Sequence, residues 1–422
     1  MPSISPLRTN PTAGLAVQLL QGMNARTDGR GLPAMPALPA GDHTSKAIST
    51  IVRILMDAKG NTAVMAQAHG ATVGVSTGNG NDAVSVNTNA ADIVDTGAGN
   101  DVIAIRTSGD LTNWGGGVLP SVSRIYGGGG NDAISIAAHG SATNVDGGDG
   151  NDTIAITSTK TSRELYDLSG IDVINGGAGD DRLALSAVSD VTRVYGDSGN
   201  DAIAISAGRS VWLVNGGDGN DQIAIAAAGV SHVYGGDGHD TINVAARGLD
   251  QLYAGSGNDI VTVSADRASR VHGDEGNDVL RITAADVSDI DGGSGDDTII
   301  ITGSTIGSVR GGTGDDRIVL NNTGDQAAHI FLTNGDGHDT IETNGPLAIS
   351  RFNDDGTQRL DMAKAKVVQN DDGTLTIGFS DSADTMTVKL TGAMAGAELA
   401  FEIPRNGSAL IVRTADHPVS IS

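Results

Sequence analysis

The chain has 422 residues, no cysteine, 3% aromatic residues, 61 glycines and a formal net charge of −25. It therefore has no disulfide, no cysteine-based zinc site and no thiol nucleophile, and so few aromatics argue against a large globular core. Such acidity opposes nucleic acid or anionic lipid as a direct partner and favours cations.

The first 22 residues show no apolar run after a basic start, and no run of eighteen apolar residues occurs in the sequence. The expectation is no ordinary cleaved signal peptide and no membrane span. Residues 1–72 differ in character from the rest, with Pro-rich and Gly-rich pieces around Gly29 to Gly41 between two helix-like stretches. The second places a candidate N-cap at Asp42 to Thr44 and sets Ile48, Ile51, Val52, Leu55 and Met56 at helical spacing. This predicts a small helical N-terminal region, serving as a cap on the remainder of the chain or as a partner-binding helix.

From about 73 to 345 a six-residue turn recurs thirteen times, with Gly fourth and Asp sixth, followed by an apolar, any, apolar step. The sixth positions are Asp82, Asp101, Asp132, Asp152, Asp181, Asp201, Asp221, Asp240, Asp259, Asp278, Asp297, Asp316 and Asp339. The fourth are Gly80, Gly99, Gly130, Gly150, Gly179, Gly199, Gly219, Gly238, Gly257, Gly276, Gly295, Gly314 and Gly337. The second position is also Gly, except where Asp197 and Asp274 replace it. Turns of this composition need positive φ and close backbone approach, and they point carbonyl oxygens to one side.

The sixth-position aspartates are 19, 31, 20, 29, 20, 20, 19, 19, 19, 19, 19 and 23 residues apart. A coil of 19 or 20 residues with three insertions accounts for this series. Each coil carries a second apolar pair before its turn, such as Val191 and Val194 or Val211 and Val214, and a second turn of Ala, Ser and Gly without acid. Alternation along the first strand sends Ile203 and Ile205, or Ile223 and Ile225, inward. The predicted fold is all-β, a parallel β-roll or β-solenoid with a narrow aliphatic core and acidic turns on one edge only. Insertions should bulge from the plain edge, with Tyr126 and Trp114 as candidate covers of the first. The outward Ala104, Ala155, Ala184, Ala204 and Ala224 form a flat stripe, read either as tolerated small residues or as a packing surface.

Beyond about 346 the period stops. Ala365 to Gln369, Thr374 to Phe379 and Thr385 to Leu390 suggest an antiparallel meander, and Leu399 to Ile403 with Ala409 to Val412 a further hairpin. The domain reading is thus 1–72 as a helical or partly disordered cap, 73–345 as the roll, and 346–422 as a C-terminal β cap.

Stacking coils about 4.8 Å apart brings each turn's carboxylate beside the next, a column that repels itself unless cations intervene. Carboxylates with backbone carbonyls form an oxygen cage suited to Ca²⁺, whereas Mg²⁺ keeps its waters and Zn²⁺ wants nitrogen or sulfur. Thirteen turns leave at most twelve gaps, and twelve divalent ions would carry +24 against −25. The expectation is roughly eight to twelve bound Ca²⁺.

These turns resemble the glycine-rich nonapeptide of the RTX (repeats-in-toxin, haemolysin-type calcium-binding) family. The resemblance implies a parallel β-roll in which turn carbonyls and the sixth-position aspartates of adjacent coils share each ion. Carried onto this chain, the ligands are the thirteen aspartates above with the turn glycines Gly148, Gly150, Gly177, Gly179, Gly199, Gly217, Gly219, Gly236, Gly238, Gly255, Gly257, Gly276, Gly293, Gly295, Gly312 and Gly314. The family writes its motif every nine residues and so binds calcium on both edges. The period near nineteen departs from that and confines calcium to one edge. His239 and His338 stand at position five, read as outward side chains or as a histidine metal site.

The family also exports by a bacterial type I route using an uncleaved C-terminal signal, and Arg359-Leu360-Asp361 and Asp384 to Val388 resemble its terminal block. The implied protein is secreted or displayed at the cell surface and folds on calcium outside the cell. Its role would be structural, adhesive or partner-binding, with self-association or a cell-surface or matrix partner. The alternative is a secreted toxin or effector whose active part is residues 1–72. No catalytic residue is expected: Gly196-Asp197-Ser198-Gly199 imitates a nucleophile motif but fills repeat positions one to four, and no His-Glu-x-x-His occurs.

Overall fold

The computed structural model describes residues 50–57, 59–68, 72–107, 122–159, 170–333, 335–352, 360, 362–380, 382–403 and 409–414. They fall into two compact units divided after Arg209. The first helix-like stretch, Trp114, and the fragments Arg359, Asp361 and Arg405 to Gly407 lie outside the described residues.

The first unit is two rows of parallel strands. One row runs through Thr62–Ala68, Ala83–Thr88, Val102–Thr107, Ala133–Ala138, Thr153–Ser158, Arg182–Ala187 and Ala202–Ala207. The other runs through Thr72–Ser76, Ala90–Asp95, Val122–Gly129, Ala142–Asp149, Gly170–Ala178 and Asp190–Ser198. Like positions pair with like, as in Ile154 with Leu183 and Ile156 with Leu185, so each core residue extends an aliphatic column. Ile134, Ile154, Ile174 and Val194 are 0% exposed, and burying each such side chain contributes about 1.5–3 kcal/mol.

Val191 and Val194 are both fully buried although three residues apart, a spacing that simple alternation forbids. Arg193 between them has φ of +53, and the register steps over it from Asp172–Thr192 to Ile174–Val194. The same left-handed residue recurs once per coil as Ile93, Arg124, Asn144 and Val173, and in the second unit as Leu213, His232, Gln251, Arg270 and Asp289. This bulge bends each second strand around the core. Where the residue is Arg124, Arg193 or Arg270, its guanidinium pairs with Asp92, Asp172 or Asp250 of the preceding coil.

The second unit repeats the plan, with Gln222–Ala226 pairing Thr241–Ala245 and Ser210–Asp218 pairing Gly229–Asp237. Two coils, Ile260–Glu275 and Val279–Ser294, are single 16-residue strands that run through the plain edge without interruption. After Arg317–Asn322 the third insertion is divided: the plain edge takes part of it, where Asn322 Nδ2 donates to the Gln326 carbonyl at 2.6 Å before Ala328–Leu332 resumes the second row, and the rest falls between Ile330, which pairs with Val309, and Asp339. The two longer insertions likewise interrupt the chain between first-row and second-row strands. Tyr126 is placed differently from expectation: it stands between Asp95 and Asp146 on the second row, beside the glycine turn and away from the plain edge.

The helical expectation for 48–56 is not met: Thr50–Met56 is a strand, antiparallel to Thr62–Ala68 over seven residue pairs. The open edge of Thr62–Ala68 carries unpaired backbone groups that a strand satisfies, whereas a helix, bonded within itself, would leave them open. No helix among the described residues is long and apolar enough to cross a membrane.

The C-terminal strands match the predicted meander, Ala365–Gln369, Leu375–Phe379 and Thr385–Leu390, and the hairpin Leu399–Glu402 with Leu410–Thr414. Thr385–Leu390 pairs parallel with His338–Thr343, while Leu410–Thr414 pairs antiparallel with Leu347–Arg351. Both open rows of the last coil are thereby covered, which removes the edges that invite aggregation. Arg351, 2% exposed, lies 4.3 Å from the Phe379 ring centroid and ties the meander to the coil.

Candidate metal centre

Glycines at turn positions two and four have positive φ throughout, for instance +123 at Gly236 and +127 at Gly238. Asp197 and Asp274, which replace glycine, keep φ of +74, a conformation Asp tolerates better than most residues. Glycine is also needed for proximity. A Cβ at Gly236 would fall on the Gly217 carbonyl, and one at Gly238 on the Gly219 carbonyl.

All thirteen predicted aspartates are at most 3% exposed. From Asp82 to Asp181, and again from Asp221 to Asp316, the Asp N–H donates to Oδ1 of the next coil's Asp: Asp132 to Asp152 at 2.7 Å, Asp152 to Asp181 at 2.6 Å, Asp221 to Asp240 at 2.8 Å, Asp240 to Asp259 at 2.7 Å. The other oxygen has no such donor. Oδ2 of Asp82, Asp101, Asp132, Asp152 and Asp181, and of Asp240, Asp259, Asp278, Asp297 and Asp316, is buried without a hydrogen-bond partner.

The surroundings of that oxygen are acceptors. A Cβ built on Gly147 would meet both Asp152 Oδ2 and the Gly176 carbonyl, and one on Gly235 both Asp240 Oδ2 and the Ala254 carbonyl. A carboxylate oxygen and the next coil's first-position carbonyl thus converge with no proton donor between them, which leaves a proton or a cation to satisfy the pair. Burial pushes Asp132, Asp181 and Asp240 up to about 7, and Asp297 and Asp339 to about 8, with neighbouring carboxylates adding to the rise. Among the described residues no three acidic or histidine side chains converge on one point. Any ion here must complete its shell with backbone carbonyls, an oxygen donor set that fits Ca²⁺.

Position five holds a second ladder that spacing alone did not suggest. Here the N–H donates toward the preceding coil: Asn100 to Asn81 Oδ1 at 2.9 Å, Asn131 to Asn100 at 2.8 Å, Asn277 to Asn258 at 2.8 Å, Asp296 to Asn277 at 2.9 Å. Positions five and six therefore tie neighbouring turns in opposite directions. His239 belongs to this ladder, its Nδ1 accepting from the Asn258 N–H at 2.7 Å, so it substitutes for asparagine. His338 Nδ1 lies 3.4 Å from Asp315 Oδ1. The signal was present as the run of Asn and Asp at position five.

The ladder also begins earlier than the thirteen copies. In the turn Asp57 to Thr62, Gly60 has φ of +87, Asn61 Oδ1 accepts from the Asn81 N–H at 2.8 Å, and the Thr62 N–H donates to Asp82 Oδ1 at 2.5 Å. This is a further copy with Thr at position six. At the other end Met386 stands in register with Asp339. Each end of the acidic pattern is thus closed by an uncharged residue.

The RTX calcium-binding nonapeptide repeat (4 copies) matches the chain at residues 86–104, 123–135, 142–155, 164–191 and 234–268, so these stretches are similar to that repeat. No curated protein matches the chain.

Proposed function

This chain belongs to the RTX calcium-binding repeat family, and on that premise we propose a non-enzymatic, secreted protein that folds on calcium after export and then serves a structural, adhesive or partner-binding role. The observation that carries this is the buried column of Asp Oδ2 atoms facing carbonyls with no donor. Without cations the column opposes stacking, so the chain stays loose where calcium is scarce and closes where it reaches the millimolar range of extracellular modules. The sixth-position aspartates and the first- to fourth-position carbonyls would hold the ions, which supply charge neutralisation and cross-linking of neighbouring coils.

Titrating calcium into chelator-treated protein, followed by circular dichroism and scattering, should give one cooperative gain of β structure and roughly eight to twelve ions by native mass spectrometry. A chain fully structured in excess chelator would overturn the folding-switch reading. Export is tested separately: in cells carrying a type I exporter, removing residues 346–422 should keep the protein from the medium, and undiminished export would remove that route.

A further inference from the structure

The plain side of the second unit carries a groove of about 440 Å³, within the range of small-ligand sites. Its position follows from four coils in register. The edge column reads Ser210, Gly229, Gly248, Arg267, and the adjoining face column reads Trp212, Ser231, Asp250, Ser269. Two glycines in succession leave the edge open between Ser210 and Arg267. A Cβ at Gly248 would meet nothing within 4 Å, and one at Gly229 only Ser210 Oγ at 3.8 Å. Three coil steps of about 4.8 Å separate the ends of this gap.

Trp212 stands at one end. It is 44% exposed, in a chain with two tryptophans, and its ring makes an edge contact with His232 at 5.5 Å between centroids. The polar groups beyond it are ordered: Asp250 Oδ1 accepts from Ser269 Oγ at 3.0 Å and from the Arg270 guanidinium. At the far end Arg267 projects into solvent, its Nη2 3.7 Å from Asp286. Hydroxyls, a carboxylate and a guanidinium thus line a short trough, and the exposed indole lies beside it, one register step from Ser231.

We propose that this groove binds a short neutral glycan, lying along the stacking direction with a pyranose ring against Trp212 and its hydroxyls on Asp250, the serines and Arg267. Sugars present apolar C–H faces and dense hydroxyls together, which is the combination of surfaces found here. A peptide strand is disfavoured, because the row backbones beneath the groove are already paired on both sides and leave no edge to extend. An anionic ligand would meet Asp250 in the middle of the trough, in a chain of net charge −25.

The test uses the full chain in saturating calcium, with α-1,4-linked and β-1,4-linked glucose tetrasaccharides as neutral probes and a uronic acid tetramer as the charged comparison, followed by saturation-transfer NMR and calorimetry. At least one neutral probe should bind, and Gly248→Gln, which fills the trough at a position of ordinary φ, should weaken it tenfold or more. Trp212→Ala should do the same, with calcium count and circular dichroism unchanged in both. Absence of binding to both neutral probes, binding unaltered in both variants, or salt-sensitive binding of the uronate alone would each overturn the proposal.

Discussion

At the acidic edge of the coil that contains Gly235 to Asp240, the backbone turns through two positive-φ glycines, passes against the carbonyls of its neighbour, and buries a carboxylate. At the plain edge of the same coil, Ala246 to Gly248 turns with no positive φ, and in the next two coils an unbroken strand rounds the corner. The first edge is specified by φ, by atom-to-atom approach and by charge. The second accepts residues as unlike as Gly248 and Arg267 at one register position. That asymmetry accounts for the constant six-residue motif of the acidic turns beside the varied residues of the plain edge.

The largest expected effect comes from placing one methyl group on the acidic edge. Gly236→Ala adds a left-handed alanine, about 1–2 kcal/mol, and an overlap with the Gly217 carbonyl, about 1–3 kcal/mol. The calcium-loaded protein should lose roughly 3 kcal/mol in a denaturant titration. A loss within experimental error would mean that the turns are far looser than their packing implies.

Asp240→Asn probes charge without removing the Oδ1 acceptor for Asp221. In calcium it should release at least one ion and lower stability by roughly 1–3 kcal/mol. In chelator it should raise the β content, because a buried charge has gone. Equal shifts in both conditions would show that the residue acts as a hydrogen-bond acceptor alone.

The pH dependence changes sign with calcium. Asp240 and Asp297 are raised from 3.8 to about 7 and about 8, so between those values the folded chain binds more protons than the unfolded one. Stability of the calcium-free roll therefore falls as pH rises from about 4 to about 8. In chelator, circular dichroism should show more β structure at pH 5 than at pH 8. In limiting calcium, acid should instead release ions, since protons compete for the same oxygens. More structure at pH 8 in chelator would contradict the burial argument.

The smallest effect sharpens the contrast from the other side. Gly248→Ala, at ordinary φ and with open space for its Cβ, should leave the calcium-loaded protein unchanged or stabilise it by about 0.4–1 kcal/mol. The same Gly→Ala exchange thus reports opposite signs on the two edges of equivalent coils. A large loss at Gly248 would erase the distinction.

Much of this was legible in residue spacing. Gly at position four and Asp at position six specify the acidic turn because no other side chains provide that φ freedom and that charge together, and the period near nineteen places them on one edge. The C-terminal meander was readable from its alternation and its Asn370 to Gly373 turn. The copy at Asp57 to Thr62 was hidden because Thr62 lacks the carboxylate, although its N–H still donates to Asp82 Oδ1. The position-five ladder was visible as composition and unread as function, so His239 looked anomalous until its Nδ1 was seen accepting from Asn258.

The amino-acid sequence by itself determined the repeat, the one-sided acidity, the aliphatic columns and the affinity for an oxygen-loving cation, all of which follow from residue type at regular spacing. Only the tertiary structure decided three things. Thr50–Met56 is a strand because the edge of Thr62–Ala68 offers it backbone partners. The bend of each second strand falls on residues as unlike as Val173, Arg193 and Gln251, since the stacked neighbours rather than the side chain hold φ positive. And Ser210, Gly229, Gly248 and Arg267, far apart in the chain, line one groove because register between coils brings them together.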